Sequence, residues 1–224
     1  MIVVFDAYGT LWDVGAIEKA CVQVVGPEHA GPLLDVWRRK QLEYAFLRTV
    51  MDRYIAFAEI TASALAYSLT ALGFAIPSAG LTQLTQAWWT PQAFADAVPM
   101  LQALAGQTRV ILSNGDPGML TAGVQASGLE PYLEAVLSVA PSRRYKPHPA
   151  AYQRVCDHFA VSPDTMVFIS SNGWDIAGAS HFGFRTVWVN RAGRPPEELG
   201  AQPRVVVGSL RELPAALPRV FLRA

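Results

Sequence analysis

The chain has 224 residues, with 18 Lys+Arg against 18 Asp+Glu and a formal net charge of zero, which excludes bulk attraction to nucleic acid or to an acidic membrane surface. Hydrophobic residues supply 51% and charged residues 16%, a balance that excludes a disordered chain and suffices for a large buried core. The length allows one large domain, or a core with one sizeable insertion, and excludes three domains.

Residues 2–6 form a β-branched, apolar run that reads as a buried strand, and Ala7-Tyr8-Gly9-Thr10 reads as the loop it opens into. Asp6 stops the run well short of a signal peptide's apolar region or the ~20 residues of a membrane span, so a cytoplasmic protein is expected. From 14 to 93 no convincing strand follows. That stretch reads as helices near 15–25, 30–51, 55–72 and 78–88, with Gly26-Pro27, Gly73, Pro77 and Pro91 as breaks. Beyond it, apolar runs at 108–112, 134–138, 166–170 and 186–190 alternate with helical spacing at 97–105, 117–127, 149–159, 175–182 and 210–216.

Strands alternating with helices predict βαβ units and a doubly wound, parallel-sheet (Rossmann-like) α/β core. The expected division is a core of residues 1–13 and 94–224 and an inserted helical cap of residues 14–93. Trp88-Trp89, at the end of the last cap helix, is expected to pack between the two modules. Cys21 and Cys156 are too few and too far apart for a disulfide framework or zinc site, and His29, His148, His158 and His181 show no ligand spacing. No metal or cofactor is expected.

In a doubly wound sheet the ligand lies beyond the carboxyl ends of the strands, so reactive residues are sought just after each apolar run. The first run yields Asp6 and Thr10. The second yields Ser113-Asn114-Gly115-Asp116-Pro117, in which Pro117 suits the first turn of a helix better than Asn-Gly suits a hairpin. After the third comes Arg143-Arg144-Tyr145-Lys146-Pro147-His148-Pro149-Ala150-Ala151-Tyr152. Arg143 and Arg144 read as a solvated basic loop, whereas prolines restrain Lys146. The fourth ends in Ser170-Ser171-Asn172-Gly173-Trp174-Asp175. Two acids and a lysine at three strand ends make a site a better reading than three separate helix caps.

Phe5-Asp6-Ala7-Tyr8-Gly9-Thr10-Leu11 resembles the first motif of the haloacid dehalogenase superfamily, whose nucleophile is the first Asp. Ser113-Asn114, Lys146-Pro147 and the 170–175 segment resemble the second, third and fourth motifs, in order. Over essentially its whole length the chain is similar to type II L-2-haloacid dehalogenases. Trp37-Arg38-Arg39-Lys40-Gln41-Leu42 resembles the segment that carries a substrate-binding arginine, and the role falls to Arg38.

The resemblance implies nucleophilic attack by Asp6 with inversion, an aspartyl ester, and hydrolysis by water activated at Asp175. Lys146 would keep both carboxylates ionised, while Thr10, Tyr152, Ser170 and Asn172 complete the catalytic set. Ser113 and the Ala7 and Tyr8 amides would take the substrate carboxylate, and Arg38 and Asn114 the halide. Leu42, Phe57 and Trp174 would wall the carbon chain. The implied partners are a small 2-haloalkanoate, water and halide, with no nucleic acid and no membrane. A homodimer is a further possibility, with Trp37, Phe46 and Tyr54 as its surface.

The competing expectation is a magnesium-dependent phosphatase of the same superfamily. Such enzymes carry an acid two residues after the nucleophile, where this chain has Tyr8, and a fourth-motif acid where it has Ser171. A phenol with a pKa near 10 replaces a carboxylic acid near 4 poorly as a proton donor. A fluoroacetate-preferring enzyme and a catalytically silent binding protein complete the alternatives.

Overall fold

In the computed structural model, which describes residues 1–221, the run Ile2–Phe5 forms strand β1, and Val3, Val4 and Phe5 are fully buried. A strand covered on both faces reads as continuous apolar sequence rather than as alternation. A short strand β2 (Trp12–Asp13) follows, and then four helices: α1 (Gly15–Val25), α2 (Pro27–Val50), α3 (Phe57–Ala71) and α4 (Ser78–Ala87). A second short strand β3 (Gln92–Ala93) leads into α5 (Ala97–Ala103), β4 (Thr108–Ser113), α6 (Pro117–Ala126) and β5 (Ala135–Ser138). The chain continues through α7 (Pro149–Phe159), β6 (Met166–Ser170), α8 (Gly173–Phe182), β7 (Arg185–Val189), β8 (Val205–Val207) and α9 (Leu213–Ala216).

The large sheet is parallel, in the order β5-β4-β1-β6-β7-β8, as a doubly wound α/β fold requires. Because β1 lies between β4 and β6, connections leave it toward both edges. Its carboxyl end is therefore the switch point at which such sheets bind ligands. Asp6 is the first residue beyond that end.

Three features depart from the expected elements. Val205–Val207 adds an edge strand, too short for its sequence to display a period. The 14–93 stretch is not purely helical either: Gln92 and Ala93 pair antiparallel with Asp13 and Trp12, and Phe94 N donates to Leu11 O at 2.9 Å. This ribbon sets the entry and exit of the four-helix block side by side. Helix α2 begins at Pro27 rather than near 30, because Gly26 at φ 84° closes α1 and proline suits a helix's first position.

The block packs onto the sheet's carboxyl side through aromatic side chains. Trp88 is fully buried, 5.5 Å from the Tyr8 ring and 5.6 Å from that of Trp37. Trp89 lies against Gly118 at the start of α6, so the tryptophan pair packs between block and core as expected. Trp37 does not belong to any partner surface. It is fully buried, and its indole donates to Thr61 O at 2.8 Å. Cys21 and Cys156 are free and buried. Among the described residues no helix is long and apolar enough to cross a membrane.

Candidate active site

Asp6 extends the β1 ladder by donating its amide to Ile169 O at 2.9 Å. Gly9, at φ 86°, then reverses the chain, and the amides of Thr10, Leu11 and Trp12 converge on Ala7 O at 3.1, 2.9 and 3.0 Å. The Ala7 and Tyr8 amides have no acceptor among the described residues, which leaves adjacent donors beside Asp6 for an anion.

The same turn returns Thr10 to Asp6, where its hydroxyl donates to Oδ2 at 3.1 Å. From the end of β6, Ser170 Oγ and Asn172 Nδ2 donate to the same oxygen at 3.3 and 2.8 Å. Ser171 holds the arrangement: its amide donates to Thr10 Oγ1 at 2.9 Å and its hydroxyl to Gly9 O at 2.6 Å. Asp6 Oδ1 faces only the Lys146 ammonium, at 3.2 Å. Lys146 also donates to Asp175 Oδ2 at 3.0 Å, and Tyr152 OH donates to Asp175 Oδ1 at 2.7 Å. Residues expected from three strand ends thus meet around one ammonium.

Lys146, Tyr152, Ser170 and Asp175 have no exposed surface, and Asp6 retains 7%. Burial pushes the Asp175 carboxyl up, to about 6, against the opposing pull of Lys146, while the Asp6 charge adds to the rise and the Tyr152 hydroxyl opposes it. Burial by itself would lower the Lys146 ammonium, but Asp175 and Asp6 outweigh it and hold the group above the ordinary lysine value. The Tyr152 phenol is raised by burial and by Asp175, so it remains a donor.

Gly178 supports this cluster and escaped the sequence reading. A Cβ there would lie 2.5 Å from Pro147 Cβ and 2.7 Å from Tyr152 OH, so only glycine lets α8 approach the lysine loop and α7 together.

At the end of β4, Ser113 Oγ accepts from Gly115 N at 3.3 Å and keeps its proton to donate. Asn114 Oδ1 accepts from Lys146 N at 2.9 Å, which fixes the carboxamide and leaves its NH2 to other partners. Tyr8 OH donates to Trp88 O at 2.8 Å, and burial raises the phenol further above its ordinary value. Arg38 lies with its guanidinium 5.4 Å over the Trp88 ring and donates to Gln41 Oε1 at 2.6 Å. Burial lowers it, with the nearby Asp6 and Tyr8 opposing. Arg39, by contrast, is exposed.

Arg38 and Tyr8 line a cavity of about 290 Å³ with Gly9, Asn172 and Arg191. Phe57 is buried at the start of α3, and Leu42 is half-buried one turn after Arg38. Trp174 meets Phe46 of α2 edge-on at 5.2 Å.

Arg143 is exposed, as expected of a solvated basic loop, whereas Arg144 is half-buried. Arg144 pairs with Asp52 at 2.9 Å and Arg143 lies 5.3 Å over the Tyr54 ring, so both reach the helical block. The sequence reading also gave no role to the Asp116 carboxylate, which accepts from the α3 amides of Phe57 and Ala58 at 2.9 and 2.8 Å. Its partners lie nearly sixty positions earlier, where no local pattern registers them.

A family model described as haloacid dehalogenase-like hydrolase matches residues 1–183. (S)-2-haloacid dehalogenase 1 of Pseudomonas sp. strain CBS-3 is 42% identical over 220 residues, covering 97% of this chain and 96% of the relative. Haloacetate dehalogenase H-2 of Moraxella sp. strain B is 38% identical over 207 residues, 92% of each chain. The structure of L-2-haloacid dehalogenase from Xanthobacter autotrophicus with chloropropionic acid covalently bound superimposes with a TM-score of 0.92 at 37% identity, covering 97% of this chain and 98% of that one.

Proposed function

Because the chain belongs to the haloacid dehalogenase-like hydrolases, we propose that it hydrolyses short-chain 2-haloalkanoic acids, converting an L-2-haloacid to a D-2-hydroxy acid and halide. One observation carries this reading: Lys146 joins the Asp6 and Asp175 carboxylates, while the Tyr8 phenol is committed to Trp88 O. A phosphatase would need an acid at position 8 and a dication near Asp6. The donor set does not fit a dication, since an ammonium already bridges the two carboxylates and the other groups on Asp6 are neutral donors. Among the described residues no three His, Cys, Asp or Glu side chains are grouped to hold a metal.

In the first step an Asp6 oxygen attacks the halogen-bearing carbon from the side opposite the halogen. A carbon–oxygen bond forms, halide leaves with the bonding pair, and the carbon inverts. Oδ1 suits this attack because only Lys146 holds it, whereas Oδ2 accepts three hydrogen bonds. The substrate carboxylate lies on Ser113 and the free amides of Ala7 and Tyr8, and the departing halide meets Arg38 and Asn114.

In the second step water adds to the ester carbonyl of Asp6 while Asp175 takes its proton. Negative charge then develops on Oδ2, where Thr10, Ser170 and Asn172 are already aimed. Collapse breaks the bond between Asp6 Cγ and the oxygen that attacked the substrate, Asp175 returns its proton to the departing alkoxide to give the hydroxy acid, and the new Asp6 carboxyl, which keeps the water oxygen, loses its remaining proton to solvent. Lys146 keeps Asp6 and Asp175 both ionised at the start of each cycle.

Residues 14–93 serve as a helical cap over a core of residues 1–13 and 94–224, of which 222–224 lie outside the described residues. Phe57, Leu42 and Trp174 exclude water from the carbon chain, which strengthens the charge interactions around it. A second copy of the chain covers the exposed Leu47 and Val50 of α2, Met51 just beyond it and Tyr67 of α3, a reading that light scattering checks by mass.

The functional test is chloride release from each enantiomer of 2-chloropropionate in excess chelator, beside fluoroacetate and p-nitrophenyl phosphate with magnesium. Turnover of the (S) enantiomer to (R)-lactate without metal is expected. Magnesium-dependent release of phosphate with no release of chloride contradicts the reading.

A further inference from the structure

A continuous chain of hydrogen bonds runs from Arg38 to the core across the seam between the helical block and the sheet. Arg38 Nη1 donates to Gln41 Oε1 at 2.6 Å, Gln41 Nε2 to Thr61 Oγ1 at 2.7 Å, and Thr61 Oγ1 to Phe57 O at 2.8 Å. Phe57 N then donates to Asp116 Oδ1 at 2.9 Å, and Ala58 N to Asp116 Oδ2 at 2.8 Å. Gln41 and Thr61 are buried, where a polar side chain is tolerated only with its bonds made, and each of these bonds is made.

Ala56, at the N-cap of α3, has no side-chain oxygen for the first amides of that helix. Asp116 supplies the missing acceptors from the core. It is also the N-cap residue of α6, so its carboxylate lies between two helix N-termini, both of which favour negative charge. The loop that carries it begins with Ser113 and Asn114.

We propose that Asp116 is a positioning residue for dehalogenation, an inference that rests on the site reading above. By holding the N-terminus of α3 to the loop of Ser113 and Asn114, it sets Phe57 against the substrate's carbon chain. Through Thr61 and Gln41 the same clasp aims Arg38. Asp116 touches no reacting atom. Its loss shifts the block away from the closed arrangement, and apparent affinity falls by the fraction of molecules that remain closed. Once substrate has closed the block, Arg38 and Phe57 occupy their usual places and chemistry proceeds as before.

The test compares wild type, Asp116→Ala, Asp116→Asn and Thr61→Val on (S)-2-chloropropionate. Asp116→Ala is expected to raise KM about fivefold, the equilibrium factor by which a lost helix-cap acceptor typically disfavours the capped arrangement, with kcat changed by less than about twofold. Asp116→Asn, which keeps one acceptor oxygen, recovers part of the loss. Asp116→Ala combined with Thr61→Val raises KM by less than the product of the single effects, since both act on one chain. Hydrogen exchange at the Phe57 and Ala58 amides accelerates in Asp116→Ala and reads the clasp independently of turnover. A lower Tm with KM unchanged, or a fall in kcat at constant KM, overturns the proposal. Wild type that releases no halide overturns the site reading instead, and leaves the exchange result to judge the clasp.

Discussion

Lys146 Nζ and Asp175 Oδ2 lie 3.0 Å apart with both side chains fully buried, and Asp6 Oδ1 lies 3.2 Å from the same ammonium. Removing the cation would leave two carboxylates facing each other in a dry pocket. Lys146→Met should therefore abolish turnover and cost ~3–5 kcal/mol of stability at neutral pH, the usual effect of breaking a buried pair. The deficit has a definite sign with pH. Without the lysine, which lowers the Asp175 carboxyl, that pKa rises further in the folded state, so the fold binds protons more tightly than the unfolded chain and regains stability as pH falls. Melting curves of wild type and variant from pH 8 to pH 5 should converge, and a constant gap would contradict the assignment.

Burial raises the Asp175 carboxyl, to about 6 in the free enzyme, where the Asp6 charge adds to the rise; in the ester that charge is gone. A general base must be ionised, so the second step should slow with an acid limb below about 6. Halide release, which does not use Asp175 as a base, should keep its rate over that limb. Tyr152→Phe deletes a hydrogen bond that holds Asp175 down, and should move the limb to higher pH. Rapid-quench measurement of halide and hydroxy acid separates the steps; limbs that coincide would exclude Asp175 as the base.

Adjacent arginines should differ sharply. Arg38 is held by Gln41 over Trp88, whereas Arg39 is exposed. Arg38→Ala is expected to lower kcat/KM by at least about 30-fold, as truncation of a buried charge partner does. Arg39→Ala should change it by no more than about twofold. Similar losses at both positions would remove Arg38 from the halide site.

The Gly178 contact predicts an effect from one methyl group. Gly178→Ala must push Pro147 or Tyr152 aside, which should cost ~1–3 kcal/mol of stability. It should also raise the acid limb of hydrolysis, as Tyr152→Phe does. An unchanged pH profile would show that Pro147 alone moves.

The parallel sheet and the strand-end residues were legible in the sequence because each depends on local pattern. An apolar run ending in Asp6, or in Ser170-Ser171-Asn172, marks a strand and its carboxyl end without knowledge of its neighbours. Val205–Val207 and the Trp12–Ala93 ribbon were not legible, since two or three residues are too few to show a period and become strands only through their partners. Gly178 and Asp116 failed to register for a related reason. The first matters for what a Cβ would strike from another loop, and the second for amides far back along the chain. Arg144 was misjudged because charge alone does not reveal that Asp52 lies opposite.

In the proposed reaction Asp6 carries the substrate as an ester that Asp175 helps water to cleave. Asp175→Asn, mixed with (S)-2-chloropropionate and quenched, should release about one chloride per enzyme in a single turnover, and peptide mass analysis should find a propionate ester on the Asp6 peptide. Chloride release with Asp6 unmodified, or with the ester on another residue, would contradict the account.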